Sequence, residues 1–292
     1  MYLIQDRNLS QKGNHRYVRD NTDKPIELFE GSIMTEITLP RFGLFNTEAR
    51  IFHSESTDQD FQIGVWFPFS YSNSERSFPV LYVPDGEIAF PVVAGLIPTL
   101  MGTGEVPEMI VVGIAYHGIS SWGEFGALRD RDFCTQQFQS PENNTRHVEY
   151  VHFFQDELFP LIERNYRVDS QERALFGFSS AGFFTLHMLL TQPGMFRRHV
   201  AASCTWPGAG EYFLECAQHY AGRTNLPPAV LYLSVGSLDE EQLPGFYELT
   251  EALANGKIPS LRLISQVFDG EGHSAGVLGK TLLSGLKSVY QG

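Results

Sequence analysis

Three stretches beyond the first third of the chain are apolar almost without a break: MIVVGIAY at 109–116, RALFGF at 173–178 and AVLYLSVG at 229–236. A strand with one face in water alternates apolar and polar residues, so runs like these are covered on both faces. Cover of that kind comes from helices on both sides of a mostly parallel sheet, which makes the expected class α/β. Further strands are expected at 47–53, 60–67 (DFQIGVWF), 78–84 (FPVLYVP), 198–203 and 261–268 (LRLISQVF). The first two follow one another without an intervening helix, so the sheet is expected to begin antiparallel, continue parallel and hold about eight strands. Helices are expected at 147–165, where Val151, Phe154, Leu158 and Leu161 fall at helical spacing, at 180–191, and at 275–290, where Leu278, Leu282, Leu286 and Val289 share one stripe. Residues 1–40 are polar and without periodicity, and read as an N-terminal arm before a single domain at 41–292. The stretches 117–146 and 204–228 read as long loops over a site.

Composition narrows the partners. Acidic residues outnumber basic ones, 34 to 21, for a formal net charge of −13. Such a field repels phosphate backbones and anionic membranes, so a nucleic-acid partner is not expected. An anionic substrate would need a local Arg or Lys patch. Three cysteines, Cys134, Cys204 and Cys216, have no C-x-x-C spacing and suit neither a disulfide framework nor a zinc cluster. No metal or organic cofactor is implied. The N-terminal stretch lacks a basic segment followed by an apolar run, and no segment approaches the length of a membrane span, so a cytoplasmic protein is expected.

The motif that carries chemistry is Gly177-Phe178-Ser179-Ser180-Ala181-Gly182, between the apolar run ALF and the helical pattern FFTLHMLL. Strand, sharp turn and helix in that order are what a nucleophile elbow requires, with small residues two before and two after the serine. Gly177 and Ala181 meet that need. The string is short, and a helix N-cap serine after a glycine turn would look the same, so its position after a buried strand is what gives it weight. Ser180 is a rival nucleophile, but Phe178 at its −2 position would crowd the turn. A hydroxyl also needs a base. The strand VLYLSV runs into Gly236-Ser237-Leu238-Asp239, and the next strand runs into Asp269-Gly270-Glu271-Gly272-His273. Ser179, Asp239 and His273 thus follow the chain order nucleophile, acid, base. Asp239 would orient the imidazole, with Glu240 and Glu241 as alternative acids; His117, also just past a strand, is the second candidate base, while His187 on an apolar helix reads as core. An oxyanion hole needs the Ser180 amide and a second N–H. The turn Pro84-Asp85-Gly86-Glu87 after FPVLYV is the natural source, through the Glu87 amide with Gly86 allowing close approach.

On these residues the chain resembles the esterase family of α/β-hydrolases that takes in enterochelin (siderophore) esterases, esterase D-type S-formylglutathione hydrolases and feruloyl esterases. The resemblance runs over about 45–292 and is carried by HSES…FQIGVWFPFSY, SFPVLYVPDG, VVGIAY, RDRDF, DELFPLIERNYRVD leading into ALFGFSSAGFF, and FDGEGHS. It looks closest to the siderophore-esterase-like branch, and implies an α/β-hydrolase fold and ester cleavage by Ser179 with His273. Three features depart from the family pattern: Ala181 and Gly182 stand for a glycine pair, Phe178 for a polar residue, and Ser203-Cys204-Thr205-Trp206 only approximates the serine- and tryptophan-bearing pocket segment.

The expected reaction is two-step acyl transfer to water. Trp206 and Trp122 are the candidate aromatic contacts for the substrate. Arg131, interleaved with Arg129, Asp130 and Asp132, is a candidate for an acidic group, unless these charges pair internally. An acyltransferase with the same residues, and a non-catalytic binding protein on the same fold, are the rival readings.

Overall fold

The structure, a computed structural model, describes residues 43–138 and 145–291 together with two short strands nearer the N-terminus. By contacts the chain divides into Met1–Gly43 and Leu44–Gly292. Within the first unit, β1 (Arg16–Arg19) and β2 (Pro25–Leu28) pair antiparallel, Tyr17 opposite Glu27 and Val18 opposite Ile26. The rest of the arm read at 1–40 lies outside the described residues. Where it is described, it is a strand pair rather than irregular chain, built from the β-favouring Tyr17, Val18 and Ile26.

The second unit is built on one sheet of eight strands: β3 (Thr47–Ser54), β4 (Gln59–Trp66), β5 (Phe78–Pro84), β6 (Ile110–Tyr116), β7 (Val168–Phe178), β8 (Arg198–Ala202), β9 (Ala229–Gly236) and β10 (Leu261–Phe268). Their order across the sheet is β10-β9-β8-β7-β5-β6-β4-β3. The β3–β4 and β4–β6 pairs are antiparallel and all others parallel. This is the antiparallel start and parallel body that the patterning predicts, in the α/β-hydrolase arrangement.

Side chains alternate across the pleat, so each central strand feeds two cores. Val80, Tyr82, Ile110, Val112, Leu175, Leu231 and Leu233 point to one face; Leu81, Val83, Val111, Ala174, Phe176 and Val200 point to the other. The second face is closed by α1 (Ala89–Gly102) through Val93, Ala94 and Ile97, and by the C-terminal helix Ala275–Tyr290 through Leu282, Leu286 and Val289. The first is closed by α2 (Trp122–Phe133), α3 (His147–His152), α4 (Phe159–Asn165), α5 (Ser180–Thr191), α6 (Ala209–Ala221) and α7 (Leu243–Asn255), which leaves the C-terminal helix as α8. Between α3 and α4 the expected continuous helix widens to a π-type turn over Phe153–Leu158. Pro160, which has no N–H to give the turn before it, stands at the start of α4.

Both stretches read as long loops contain helices. Residues 117–138 hold α2, capped by Ser121, whose Oγ accepts the Glu124 N–H at 3.1 Å while the Glu124 carboxylate takes the Ser120 N–H at 2.9 Å. Residues 204–228 hold α6. Glycine and charge in α2 masked its period, although Ser121-x-x-Glu124 is a capping signature.

Three histidines are buried in this framework. Desolvation lowers His147 to about 4, His187 to about 2 and His199 to about 3, so they stay neutral and act as core. His187 Nδ1 lies 2.7 Å from Tyr212 Oη and His147 Nδ1 lies 3.1 Å from Phe133 O. Among the described residues no helix is long and apolar enough to cross a membrane.

Leu286 is fully buried where α8 meets the sheet. Leu286→Ala should lower unfolding free energy by about 3 kcal/mol in urea titration; a loss below about 1 kcal/mol would mean that α8 is not seated as described.

Candidate active site

In a parallel sheet with helices on both faces, functional groups gather at the carboxyl ends of the strands. Five loops meet there: those after β5, β7, β8, β9 and β10. Ser179 caps β7 with φ 59° and ψ −126°, a strained conformation for a residue with a side chain. Packing holds it there. Its N–H donates to Ala202 O at 2.9 Å, and its carbonyl accepts the Phe183 N–H at 2.8 Å, which starts α5. A Cβ on Gly177 would come within 2.0 Å of Ala181 O, so no larger residue fits beneath the turn.

The loops after β9 and β10 lie against each other. Leu238 N–H donates to Glu271 O at 2.7 Å and Ser237 N–H to Phe268 O at 2.9 Å. Gly236 makes this approach possible, since a Cβ there would stand 2.2 Å from Glu271 O. Glu271 is itself held by Lys280 Nζ at 2.7 Å and by Ser274 Oγ at 3.0 Å, and these contacts, Lys280 first, lower its pKa. Ser274 caps α8 through Gly276 N–H and Val277 N–H. His273 therefore leaves a loop tied down on both sides.

The result is a connected row of groups. His273 Nε2 lies 3.0 Å from Ser179 Oγ, and His273 Nδ1 lies 3.1 Å from Asp239 Oδ2. Asp239 is the acid that reaches the ring; Glu240 and Glu241 are exposed. Phe178, next to the serine, packs its ring 4.9 Å from the imidazole and limits its rotation. His117 is exposed after β6, and its backbone N–H donates to Asp60 O.

A second group reaches the same imidazole nitrogen. Gln242 Nε2 lies 2.9 Å from His273 Nδ1. The Gln242 Oε1 accepts the Thr205 N–H at 2.9 Å, and Thr205 Oγ1 donates to Gln242 O at 2.9 Å. Gln242 is 5% exposed. The sequence reading missed it; the one signal was a polar side chain one helical turn beyond Asp239.

The turn after β5 is locked as firmly. Asp85 takes φ 59° and is buried, and its carboxylate accepts from Arg129 Nε at 2.6 Å and Nη2 at 2.7 Å. Burial raises the Asp85 pKa against the opposing pull of Arg129. Gly86 N–H donates to Ile114 O at 2.8 Å, and Glu87 Oε1 accepts the Tyr116 N–H at 2.5 Å. Glu87 Oε2 is buried without a partner, and burial raises the pKa of this carboxyl to about 7.

The three expected substrate contacts fare differently. Trp206 is half-buried and stacks on Phe183 at 5.4 Å, one residue from Thr205 in the Gln242 network. Trp122 is 75% exposed at the start of α2, with Phe125 at 5.1 Å beneath it, and so stands open rather than walling a pocket. Arg131 pairs internally, the alternative its neighbouring charges left open: Nε and Nη2 are engaged by Asp132 at 2.7 and 2.9 Å. The buried Asp132 claims the nearest guanidinium because an unpaired carboxylate there would be costly.

The family model described as "Putative esterase" matches residues 54–251. The chain is 28% identical over 254 residues to the ferri-bacillibactin esterase BesA of Bacillus subtilis, covering 80% of this chain and 86% of that one. Among solved structures it superposes on the BES protein of Bacillus cereus with TM-score 0.76 at 25% identity, over 89% of this chain and 100% of that chain. The siderophore hydrolase EstB of Aspergillus nidulans, at 19% identity, shares the fold with TM-score 0.73 over 86% of this chain and 96% of its own.

Because the folded state raises the Glu87 carboxyl to about 7 from an ordinary 4.5, it binds this proton more tightly than the unfolded chain. The associated stability is fully present below about pH 4.5 and is lost as pH rises through about 7. Glu87→Gln keeps the neutral shape without the titration. Its Tm should gain on the wild type between about pH 5 and pH 8; a difference independent of pH would contradict the burial argument.

Proposed function

We propose that this chain, which belongs to the esterase family and is a carboxylic ester hydrolase, works through an acyl-enzyme on Ser179 with His273 as general base. The reading rests on one observation above the others: the unbroken row Ser179 Oγ, His273 Nε2, His273 Nδ1, Asp239 Oδ2, with spacings of 3.0 and 3.1 Å. A serine hydroxyl becomes a nucleophile when its proton has somewhere to go as the bond to carbon forms. Here Nε2 takes that proton while Oγ attacks the ester carbonyl. The carbonyl oxygen becomes an anion, held by the Ser180 and Glu87 amides. His273 then passes the proton to the departing alkoxide, leaving the acyl group on Ser179. In the second half the imidazole takes a proton from water, the hydroxide adds to the acyl carbon, and Oγ leaves with the proton returned. Asp239 holds the ring and stabilises its charged form.

A siderophore-like ester is the substrate class we favour, in line with BesA, named a ferri-bacillibactin esterase. The half-buried Trp206 beside the site supplies an aromatic face for a ring-bearing acyl or alcohol group. The same acyl-enzyme would serve an acyltransferase if an alcohol replaced water, so product analysis belongs in the test. Catalysis is assigned to the domain at 41–292, and the protein to the cytoplasm, in keeping with three cysteines that form no disulfide.

Kinetics on p-nitrophenyl esters and on catechol-bearing esters, with and without an added alcohol, test the proposal. Ser179→Ala should lower kcat/KM by roughly 10⁴-fold or more, and Asp239→Asn by about 10³–10⁴-fold. Free acid should be the product in both conditions. Retained hydrolysis in Ser179→Ala would overturn the mechanism, and transfer to alcohol in preference to water would move the protein to the acyltransferases.

A further inference from the structure

The nitrogen of His273 that faces away from Ser179 has two neighbours, and they make opposite demands on it. Asp239 Oδ2, at 3.1 Å, can only accept, so it favours a proton on Nδ1. Gln242 Nε2, at 2.9 Å, can only donate, because an amide nitrogen has no free lone pair, so it favours Nδ1 without a proton. The amide cannot be turned round to remove the conflict. Its oxygen is fixed on the Thr205 N–H at 2.9 Å, and a reversed amide would set donor against donor there. Burial and the Thr205 Oγ1 bond to the Gln242 carbonyl hold the side chain in place.

Neutral imidazole carries one proton, on one nitrogen or the other. With the proton on Nδ1, Asp239 is satisfied and Nε2 is free to take the Ser179 proton. With the proton on Nε2, Gln242 is satisfied, but the nitrogen facing the serine is already occupied and cannot act as base. We infer that Gln242 is a positioning residue that sets the tautomer balance of His273, holding a share of the resting enzyme in the form that cannot accept the Ser179 proton. This rests on the acyl-enzyme reading above. No atom is gained or lost in the change: one proton leaves one ring nitrogen and another arrives at the second by way of solvent. Substrate binding is not involved, so the effect falls on the rate of acylation and not on affinity.

Two variants separate the donor from its surroundings. Gln242→Met removes both the donor and the acceptor for Thr205. Gln242→Glu keeps an oxygen for the Thr205 N–H but turns the donor into an acceptor. The readouts are the nitrogen-15 spectrum of labelled histidine, assigned to His273 with His273→Gln, and the pre-steady-state acylation rate on a p-nitrophenyl ester. Wild type should show a population with Nε2 protonated. That population should disappear in both variants, while acylation rises roughly fivefold in Gln242→Met, at unchanged binding constant. If wild type is already wholly protonated on Nδ1, or if its tautomer populations match those of Gln242→Met, the inference is overturned. It is also overturned if Gln242→Met slows acylation and Gln242→Glu restores it, since the amide would then act only by holding Thr205. Failure of the wild type to form a covalent adduct on Ser179 with a fluorophosphonate would instead sink the acyl-enzyme reading, so the two failures are distinguishable.

Discussion

The arrangement depends on a single strained residue held in place by close packing. Ser179 adopts a left-handed backbone because β7 must turn into α5 within one residue, and the turn closes only because Gly177 has nothing to push against Ala181. A residue in such a conformation costs on the order of 1–3 kcal/mol, which persists only where the surroundings over-determine it. The buried strand on one side and the helix on the other, buried from Ala181 to Leu190, supply that constraint. The same turn that projects Oγ out of the sheet leaves the Ser180 N–H at a helix N-terminus, so the proposed nucleophile and the proposed anion donor arise from one local geometry.

Charge is used inside this protein mainly to fix loops. Two arginines on α2 that could have greeted an acidic substrate are each paired with a buried carboxylate, Arg129 with Asp85 and Arg131 with Asp132. Removing one member of such a pair leaves an uncompensated buried charge and typically costs about 3–5 kcal/mol. The Asp85–Arg129 pair has a clear mechanical purpose, since it ties α2 to the turn that carries Glu87. Together with a net charge of −13, this leaves the site suited to groups recognised by ring contact and hydrogen bonding more than by anion capture.

Much of this was legible in the residues. The expected strand ends agree with the observed ones within two residues, except that β7 begins at Val168, because its opening VDSQE is polar and lies outside the buried run. The helices α5, which follows the buried strand directly, and α8, with its apolar stripe, were readable to the residue. The helix α1 went unread because Pro91, Gly95 and Pro98 break its pattern, and α2 and α6 passed for loops on account of glycine and charge. Of the residues announced by a strand end, the structure brings Ser179, Asp239 and His273 within hydrogen-bond reach of one another. Gln242 was not announced, because its role comes from Thr205 in a different loop, and pairings between loops leave no trace in spacing. Arg131 takes the internal pairing that the sequence left open, with Asp132 beside it on α2; what spacing does not reveal is that this carboxylate is buried.

The central claim is that the hydroxyl of Ser179, and no other, is the nucleophile. Its most direct test is reaction of the wild-type protein with a fluorophosphonate, followed by protease digestion and mass spectrometry of the labelled peptide. The account predicts one adduct per chain, on Ser179. An adduct on Ser180, or an unlabelled protein that still hydrolyses esters, would contradict it.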